Sequence, residues 1–226
     1  MYARYFKRGI DVFCALAAII VFSWLYIIVA VLVRVKLGSP VLFRQMRPGK
    51  DEKIFTLYKF RTMTDECDED GNLLPDDIRL TKFGKFLRST SLDELPEAFN
   101  ILFGDMSVVG PRPQLVRDMV FMTDAQRRRH TVRPGLSGLA QVKGRNGISW
   151  EEKLDYDIEY IKSITFLGDL KIVFLTVWTA FFKRDGISQE GMDTAEDFGD
   201  WLMSEGKVDK ETYDAKQAEA KELLGV

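Results

Sequence analysis

From Ile10 to Val33 the chain reads IDVFCALAAIIVFSWLYIIVAVLV, an apolar run whose single charge, Asp11, sits near its start. A helix needs ~20 mostly apolar residues to cross a hydrocarbon core, and this run reaches that length. It is too long for a cleaved signal, and no small-residue cleavage site follows it. Taken alone it reads as a transmembrane helix. Its flanks change that reading: Arg4, Lys7 and Arg8 precede it, while Arg34, Lys36, Arg44 and Arg47 follow it. Positive residues prefer the cytoplasmic side. If both ends obey that preference, the helix enters the membrane, bends and returns to the same face. Ser23 is placed to support a bend by bonding a backbone carbonyl, and no proline assists it.

A second membrane-directed segment is GDLKIVFLTVWTAFFKR, Gly168 to Arg184, with Asp169 as helix cap. Its apolar run is too short to cross, and its aromatics and terminal cations suit a helix lying in the interface. An ordinary buried helix is the alternative. The near-neutral net charge of −2 conceals a gradient: residues 1–60 hold ten basic and three acidic side chains, and residues 186–226 hold four and eleven. A basic head suits an anionic membrane or phosphate ligands, and an acidic tail suits solvent. Nucleic acid is not among the expected partners. Two cysteines, Cys14 and Cys67, support neither a disulfide framework nor a zinc site. They point to a reducing, cytosol-facing location. His130, alone beside QRRR, reads as a surface or structural residue.

Between these segments, alternation broken by Pro48-Gly49 predicts a β-hairpin over Val41–Arg61. The insert DECDEDGNLLPDD has near-correct spacing for a calcium loop, but Glu66 stands first, Pro75 interrupts and no amphipathic helices flank it. It reads as a solvated loop. Helices are predicted at Asp93–Phe103, Asp124–His130 and Trp150–Ile161. RPGLSGLAQVKGRNG reads as a glycine-punctuated basic loop that brings backbone close to a ligand. The tail DKETYDAKQAEAKELL reads as polar helix, and no repeat is visible.

The chemistry concentrates in SLDELPEAFN. Ser91 and Glu94 fit a capping box with Asp93 in the first turn. Pro96 fits better if Asp93 is the cap, because the proline then falls at N3, where the N–H is free anyway. In either register a carboxylate meets the positive end of a helix, which holds Asp93 ionised and favours nearby phosphate. An ionised carboxylate can act as a nucleophile and form an acyl phosphate. Glu94 can help hold a hard divalent cation, since Mg²⁺ binds through one or two carboxylates plus substrate phosphates. Lys59, Arg61, Arg88 and Arg112 supply cations, and Pro111 and Pro113 stiffen the segment that carries Arg112. Together they outline a diphosphate site.

Five stretches in order, FKRGID, RPGKDEKIFTLYKFRTM, LRSTSLDELPEAFNILFGDMSVVGPRP, VRPGLSGLAQVKGRN and LDYDIEYI, resemble the bacterial sugar transferases. These are the small monotopic polyprenyl-phosphate phosphoglycosyl transferases, and the likeness covers roughly Met1–Gly191. The resemblance implies transfer of a sugar 1-phosphate from a UDP-sugar, an N-acetylated one by expectation, to undecaprenyl phosphate with release of UMP. It implies a ping-pong course through a covalent Asp93-phosphosugar, the first membrane step of glycoconjugate assembly. Asp93 and Glu94 match the catalytic dyad and the Mg²⁺ ligands, Lys59, Arg88 and Arg112 match phosphate-handling cations, and Asp157 matches a further functional acid. Arg61, Arg133, Gly135, Gln141 and Arg145 are expected to border the substrate. One departure matters: relatives carry Ser-Pro at the centre of the membrane helix, and this chain has Ser23-Trp24, so a spanning helix stays open beside the re-entrant one.

The expected fold is α+β and mainly helical. A re-entrant membrane helix spans 1–36, and a catalytic domain with a small hairpin and interfacial amphipathic helices spans 37–191. An acidic helical tail spans 192–226. The expected location is the cytoplasmic face of the bacterial inner membrane. The same chemistry with a UDP-hexose donor stays open, as does a catalytically silent scaffold that recruits later glycosyltransferases. Oligomeric state is not readable from the sequence, and a homodimer stays open.

Overall fold

The computed structural model describes residues 1–144, 148–182 and 196–225. After a short turn at Tyr2–Tyr5, two helices follow, α1 (Lys7–Val21) and α2 (Ser23–Lys36). Strands β1 (Leu42–Pro48) and β2 (Ile54–Phe60) form the antiparallel hairpin, with Leu42 opposite Phe60 and Pro48 opposite Ile54. Helix α3 (Lys82–Ser89), helix α4 (Glu97–Phe103), strand β3 (Ser107–Val109) and helix α5 (Val116–Met119) come next. Strand β4 (Gly135–Ser137), helix α6 (Leu139–Gly144), helix α7 (Trp150–Lys162) and helix α8 (Phe166–Phe182) complete the body, before α9 (Phe198–Ser204) and α10 (Lys210–Leu224). The mainly helical α+β expectation and the hairpin hold.

The apolar run is two helices and not one. No single helix among the described residues is long and apolar enough to cross a membrane, but α1 and α2 together are, bent by 65°. The break falls at Phe22 (φ −97°, ψ 11°), beside the position expected. Ser23 contributes no side-chain hydrogen bond there among the described residues, so the bend is held from its two ends. On α1, buried Asp11 accepts from Ser107 Oγ at 2.8 Å and from the Val108 N–H at 3.0 Å. Arg8 donates to the carbonyls of Ile101 and Leu102 at the end of α4, at 2.6 and 2.9 Å, satisfying acceptors that the helix terminus leaves open. On α2, Val29, Val33 and Leu37 pack on Phe60 and Leu87. Both arms are therefore bonded to the same body.

Asp169 does not cap α8, which begins at Phe166 with Thr165 Oγ1 accepting from the Gly168 N–H at 3.0 Å. Its buried carboxylate accepts from Lys7 at 2.5 Å and from Tyr2 and Tyr160 at 2.8 Å. The outward face of α8 leaves Phe166, Leu167, Leu170, Phe174, Val177 and Trp178 exposed.

The glycine-rich segment is also more ordered than a loop. Gly135–Ser137 pairs in parallel with Ser107–Val109, and Leu139–Gly144 is helical. A Cβ at Gly135 would lie 2.0 Å from the Gly110 amide nitrogen, so only glycine lets the strands approach this closely. The tail is not a solvated appendage either. Phe198 is buried against Met122, Trp150 and Leu154, and Ala220 packs on Val116, Met119 and Val120. Asp118 joins the two regions, accepting from the Leu115 and Phe198 N–H groups at 3.0 and 2.9 Å.

Candidate active site

The capping box expected at Ser91 does not form. Ser91 is left-handed (φ 54°) and makes no cap bond, Leu92–Glu94 is a single tight turn, and Pro96 itself is the residue before α4. Proline suits a helix start because its missing N–H has no partner to lose there. Asp93 and Glu94 thus stand on a strained turn ahead of the helix. Asn100, fully buried on α4, fixes that helix to the hairpin. Its Nδ2 donates to the Thr56 carbonyl at 2.7 Å, and its Oδ1 accepts from the Tyr58 N–H at 3.1 Å. The next residue on β2 is Lys59, which this stitch places over the turn.

Lys59 lies 2.8 Å from Glu94 Oε1 and 3.1 Å from Glu97 Oε1, and Arg112 reaches the same Glu94 oxygen at 2.5 Å. Burial opposes the ionisation of Glu94, but the Arg112 and Lys59 charges outweigh it and hold the carboxyl far below its usual range. Glu94 in turn raises Arg112 above its ordinary value. Asp93 differs from its neighbour. It is buried yet makes no side-chain hydrogen bond or ion pair among the described residues. Burial first, and then the Glu94 charge, push its pKa up to about 6, against the pull of Lys59, Arg112 and Arg88. Burial and not a helix terminus governs Asp93, which still leaves it mainly ionised at neutral pH.

Arg88 is brought close by α3. A Cβ at Gly84 would lie 1.8 Å from the Thr62 carbonyl oxygen, so that helix lies directly on the Thr62 backbone, and Arg88 Nε donates to Thr62 Oγ1 at 3.1 Å. Arg112 is held through its backbone. The carbonyls of Pro111, Arg112 and Pro113 accept in turn from the Gly135 N–H at 2.9 Å, from Arg129 at 2.6 Å and from Arg47 at 3.3 Å. Asp157 takes two bonds from Arg129, at 2.9 and 2.6 Å, with both side chains nearly inaccessible. Asp157 is thus linked to the Arg112 carbonyl through Arg129, whose two bonds to the carboxylate both fall on Oδ2, and burial raises the Asp157 pKa against the Arg129 charge.

Other expected residues are committed elsewhere. Arg61 donates to the carbonyls of Met63 and Ser39 at 2.8 and 2.7 Å and pairs with Asp65. Arg133 donates to the Gly104 carbonyl at 2.7 Å. Gln141 donates to the Leu136 carbonyl at 3.3 Å, and its Oε1 is buried without a partner among the described residues. Arg145 lies outside the described residues. The sequence reading missed Glu97, Arg129 and Arg47. Glu97 was hidden as an ordinary helical acid, and Arg129 as one of three adjacent arginines. His130 is buried rather than on the surface, with Nδ1 3.3 Å from Glu52 Oε1.

Beside the turn lies an apolar groove of about 600 Å³, lined by Tyr26, Pro96, Phe99, Phe60 and Phe103 among others. Tyr26 of α2 donates to the Leu95 carbonyl at 2.6 Å, so the bent helix touches the backbone that carries the dyad. No cluster of three or more metal-ligating side chains occurs among the described residues. A pair of carboxylates is nonetheless enough for Mg²⁺ when substrate phosphates complete its shell. Asp93 is uncommitted, and both cations that pair with Glu94 do so through Oε1.

The sequence profile described as bacterial sugar transferase matches residues 2–183. The chain is 50% identical over 192 residues to an uncharacterized sugar transferase, EpsL, of Bacillus subtilis, covering 85% of this chain and 95% of that one. It is 42% identical over 189 residues to a UDP-glucose:undecaprenyl-phosphate glucose-1-phosphate transferase of Klebsiella pneumoniae, covering 79% of this chain and 41% of the relative. A UDP-N-acetylgalactosamine-undecaprenyl-phosphate N-acetylgalactosaminephosphotransferase of Aeromonas hydrophila is 40% identical over 184 residues, with 77% and 43% covered. The chain thus spans about two fifths of the last two relatives.

Proposed function

Because the chain belongs to the bacterial sugar transferase family, we propose that it transfers a sugar 1-phosphate from a UDP-sugar to undecaprenyl phosphate. The observation that carries the reading is the contrast within the dyad: Glu94 is locked by two cations, while its neighbour Asp93 is bonded to nothing among the described residues. Burying a carboxylate with no partner is costly, and such a group beside a cleft is what a reactive site calls for.

In the first step a carboxylate oxygen of Asp93 attacks the sugar-bearing phosphorus of the donor. The bond from that phosphorus to the bridging oxygen breaks, and UMP departs with the electron pair. Lys59 and Arg112, fixed by Glu94 and by the gripped Pro111–Pro113 backbone, meet the charge that develops on the leaving phosphate. In the second step a phosphate oxygen of undecaprenyl phosphate attacks the same phosphorus, and the acyl-phosphate bond breaks to restore the carboxylate. Asp93 and Glu94 would hold Mg²⁺, which supplies charge neutralisation at the diphosphate.

The bent α1–α2 pair is read as re-entrant in the membrane. Both of its arms are bonded to one body, whereas a crossing helix would put its ends on opposite sides. With the exposed apolar face of α8 this supports a position on the cytoplasmic face of the inner membrane, where a soluble donor and a lipid headgroup meet. An N-acetylated donor is the expectation. The relative named for N-acetylgalactosamine is in line with it, and the relative named for glucose makes a hexose the rival.

The test is UMP release by purified protein with undecaprenyl phosphate and a panel of UDP-hexoses and UDP-N-acetylhexosamines, alongside Asp93→Asn. Release with one donor, an acid-stable protein adduct of that sugar phosphate, and loss of both in the variant are expected. Unchanged release by Asp93→Asn would remove the mechanism, and a silent wild type across the panel would favour the scaffold reading.

A further inference from the structure

Glu97 opens α4 with 2% of its surface exposed, and its one ion-pair partner among the described residues is Lys59, at 3.1 Å. Glu94 and Glu97 together face Lys59 and Arg112, while Asp93 feels Lys59, Arg112 and Arg88 but forms an ion pair with none of them among the described residues. Lys59 and Arg112 both already act on Asp93 electrostatically. Were Glu97 neutral, Lys59 and Arg112 would face Glu94 alone, and Asp93 is the remaining carboxylate on which both of them act. A nucleophile engaged by an ammonium has to break that pairing before it attacks, which lowers its ground state without helping the transition state.

We propose that Glu97 is a positioning residue that holds the Lys59 ammonium against Glu94 and away from Asp93. The attacking oxygen then stays free of the Lys59 ammonium, and Lys59 meets the donor diphosphate from a fixed point. The inference rests on the reading of Asp93 as nucleophile.

Glu97 is paired with Lys59, but burial and then the Glu94 charge push its pKa up to about 7. Lys59 keeps Glu94 as a partner without it, so an isosteric amide here leaves no cation unpaired and removes the desolvation cost of a charge. Stability and turnover are therefore expected to move in different directions. In Glu97→Gln, purified as the full chain, the thermal midpoint stays level or rises while kcat falls ~10-fold, the effect of depriving a transition state of one electrostatic interaction. KM for the UDP-sugar stays within about two-fold, and single-turnover formation of the protein adduct slows by the same factor as kcat. Glu97→Asp, which restores the charge on a shorter stem, recovers part of kcat. An unchanged kcat in Glu97→Gln overturns the proposal. So does a kcat loss matched by a lower thermal midpoint and not recovered in Glu97→Asp, since that is the mark of a purely structural residue. If the wild type itself forms no adduct with any UDP-sugar, the functional reading has failed instead, and the two failures are distinguished by that control.

Discussion

The Asp157–Arg129 pair offers a quantitative test of how Arg112 is held. Both side chains are almost fully inaccessible, and Arg129 makes two bonds to Asp157 and one to the Arg112 carbonyl. In Asp157→Asn an oxygen remains to accept, but the guanidinium loses its counter-charge in a site water does not reach. Breaking one side of a buried pair costs about 3–5 kcal/mol. For a chain of this size each kcal/mol is worth about 2–4 °C, so a loss of ~3 kcal/mol lowers the thermal midpoint by roughly 6–12 °C. Replacing the whole pair by apolar residues, R129M with D157L, removes the desolvation cost of both charges and is expected to bring stability back to within about 1 kcal/mol of wild type. Turnover is expected to stay low in the double variant, because the Arg112 carbonyl has lost its donor and the segment its fixed position. Thermal unfolding in detergent and UMP release on the same preparations separate the two effects. A midpoint shift under about 2 °C in Asp157→Asn would refute the buried-pair argument. Full turnover in the double variant would refute the positioning of Arg112 through Arg129.

Two further outcomes follow from the same geometry. Gly135→Ala would drive a Cβ into the Gly110 amide and the Ser137 carbonyl oxygen, at 2.0 and 2.5 Å, which only backbone movement relieves. A loss above about 3 kcal/mol and a matching loss of UMP release are expected, since the Gly135 N–H also holds the Pro111 carbonyl. His130 is held neutral, its pKa lowered to about 4 by burial and then by the Arg129 charge, against the pull of Glu52. The unfolded chain binds that proton near pH ~6.5. Stability from this group is thus complete above that value, falls as the pH drops towards about 4, and levels off below, by up to about 3 kcal/mol. Thermal midpoints across that window check the slope, which His130→Asn should flatten; an unchanged slope in the variant would contradict it.

The sequence by itself determined the features that depend on neighbours along the chain. The apolar run from Ile10 to Val33 is a matter of composition, the hairpin of alternation around Pro48-Gly49, and the Asp93-Glu94 pair of adjacency before a proline. Flanking cations led to the expectation of a bend in that run, and the run is bent, by 65°. Tertiary structure decided which cations belong to the site. Arg61, Arg133 and Lys59 look alike in a sequence, yet Arg61 goes to two carbonyls and Asp65 and Arg133 to a carbonyl, while Lys59 meets Glu94 and Glu97. A cation's partner is a long-range matter, set by which strand edge or helix end lies opposite, and no local pattern encodes it. The same reason hid the parallel pairing of Ser107–Val109 with Gly135–Ser137, the docking of α9 and α10, and the burial of Glu97. It also fixed the state of Asp93. Sequence placed that carboxylate at a helix end, but the fold buries most of it and leaves it without a partner among the described residues, and burial outweighs the position in the chain.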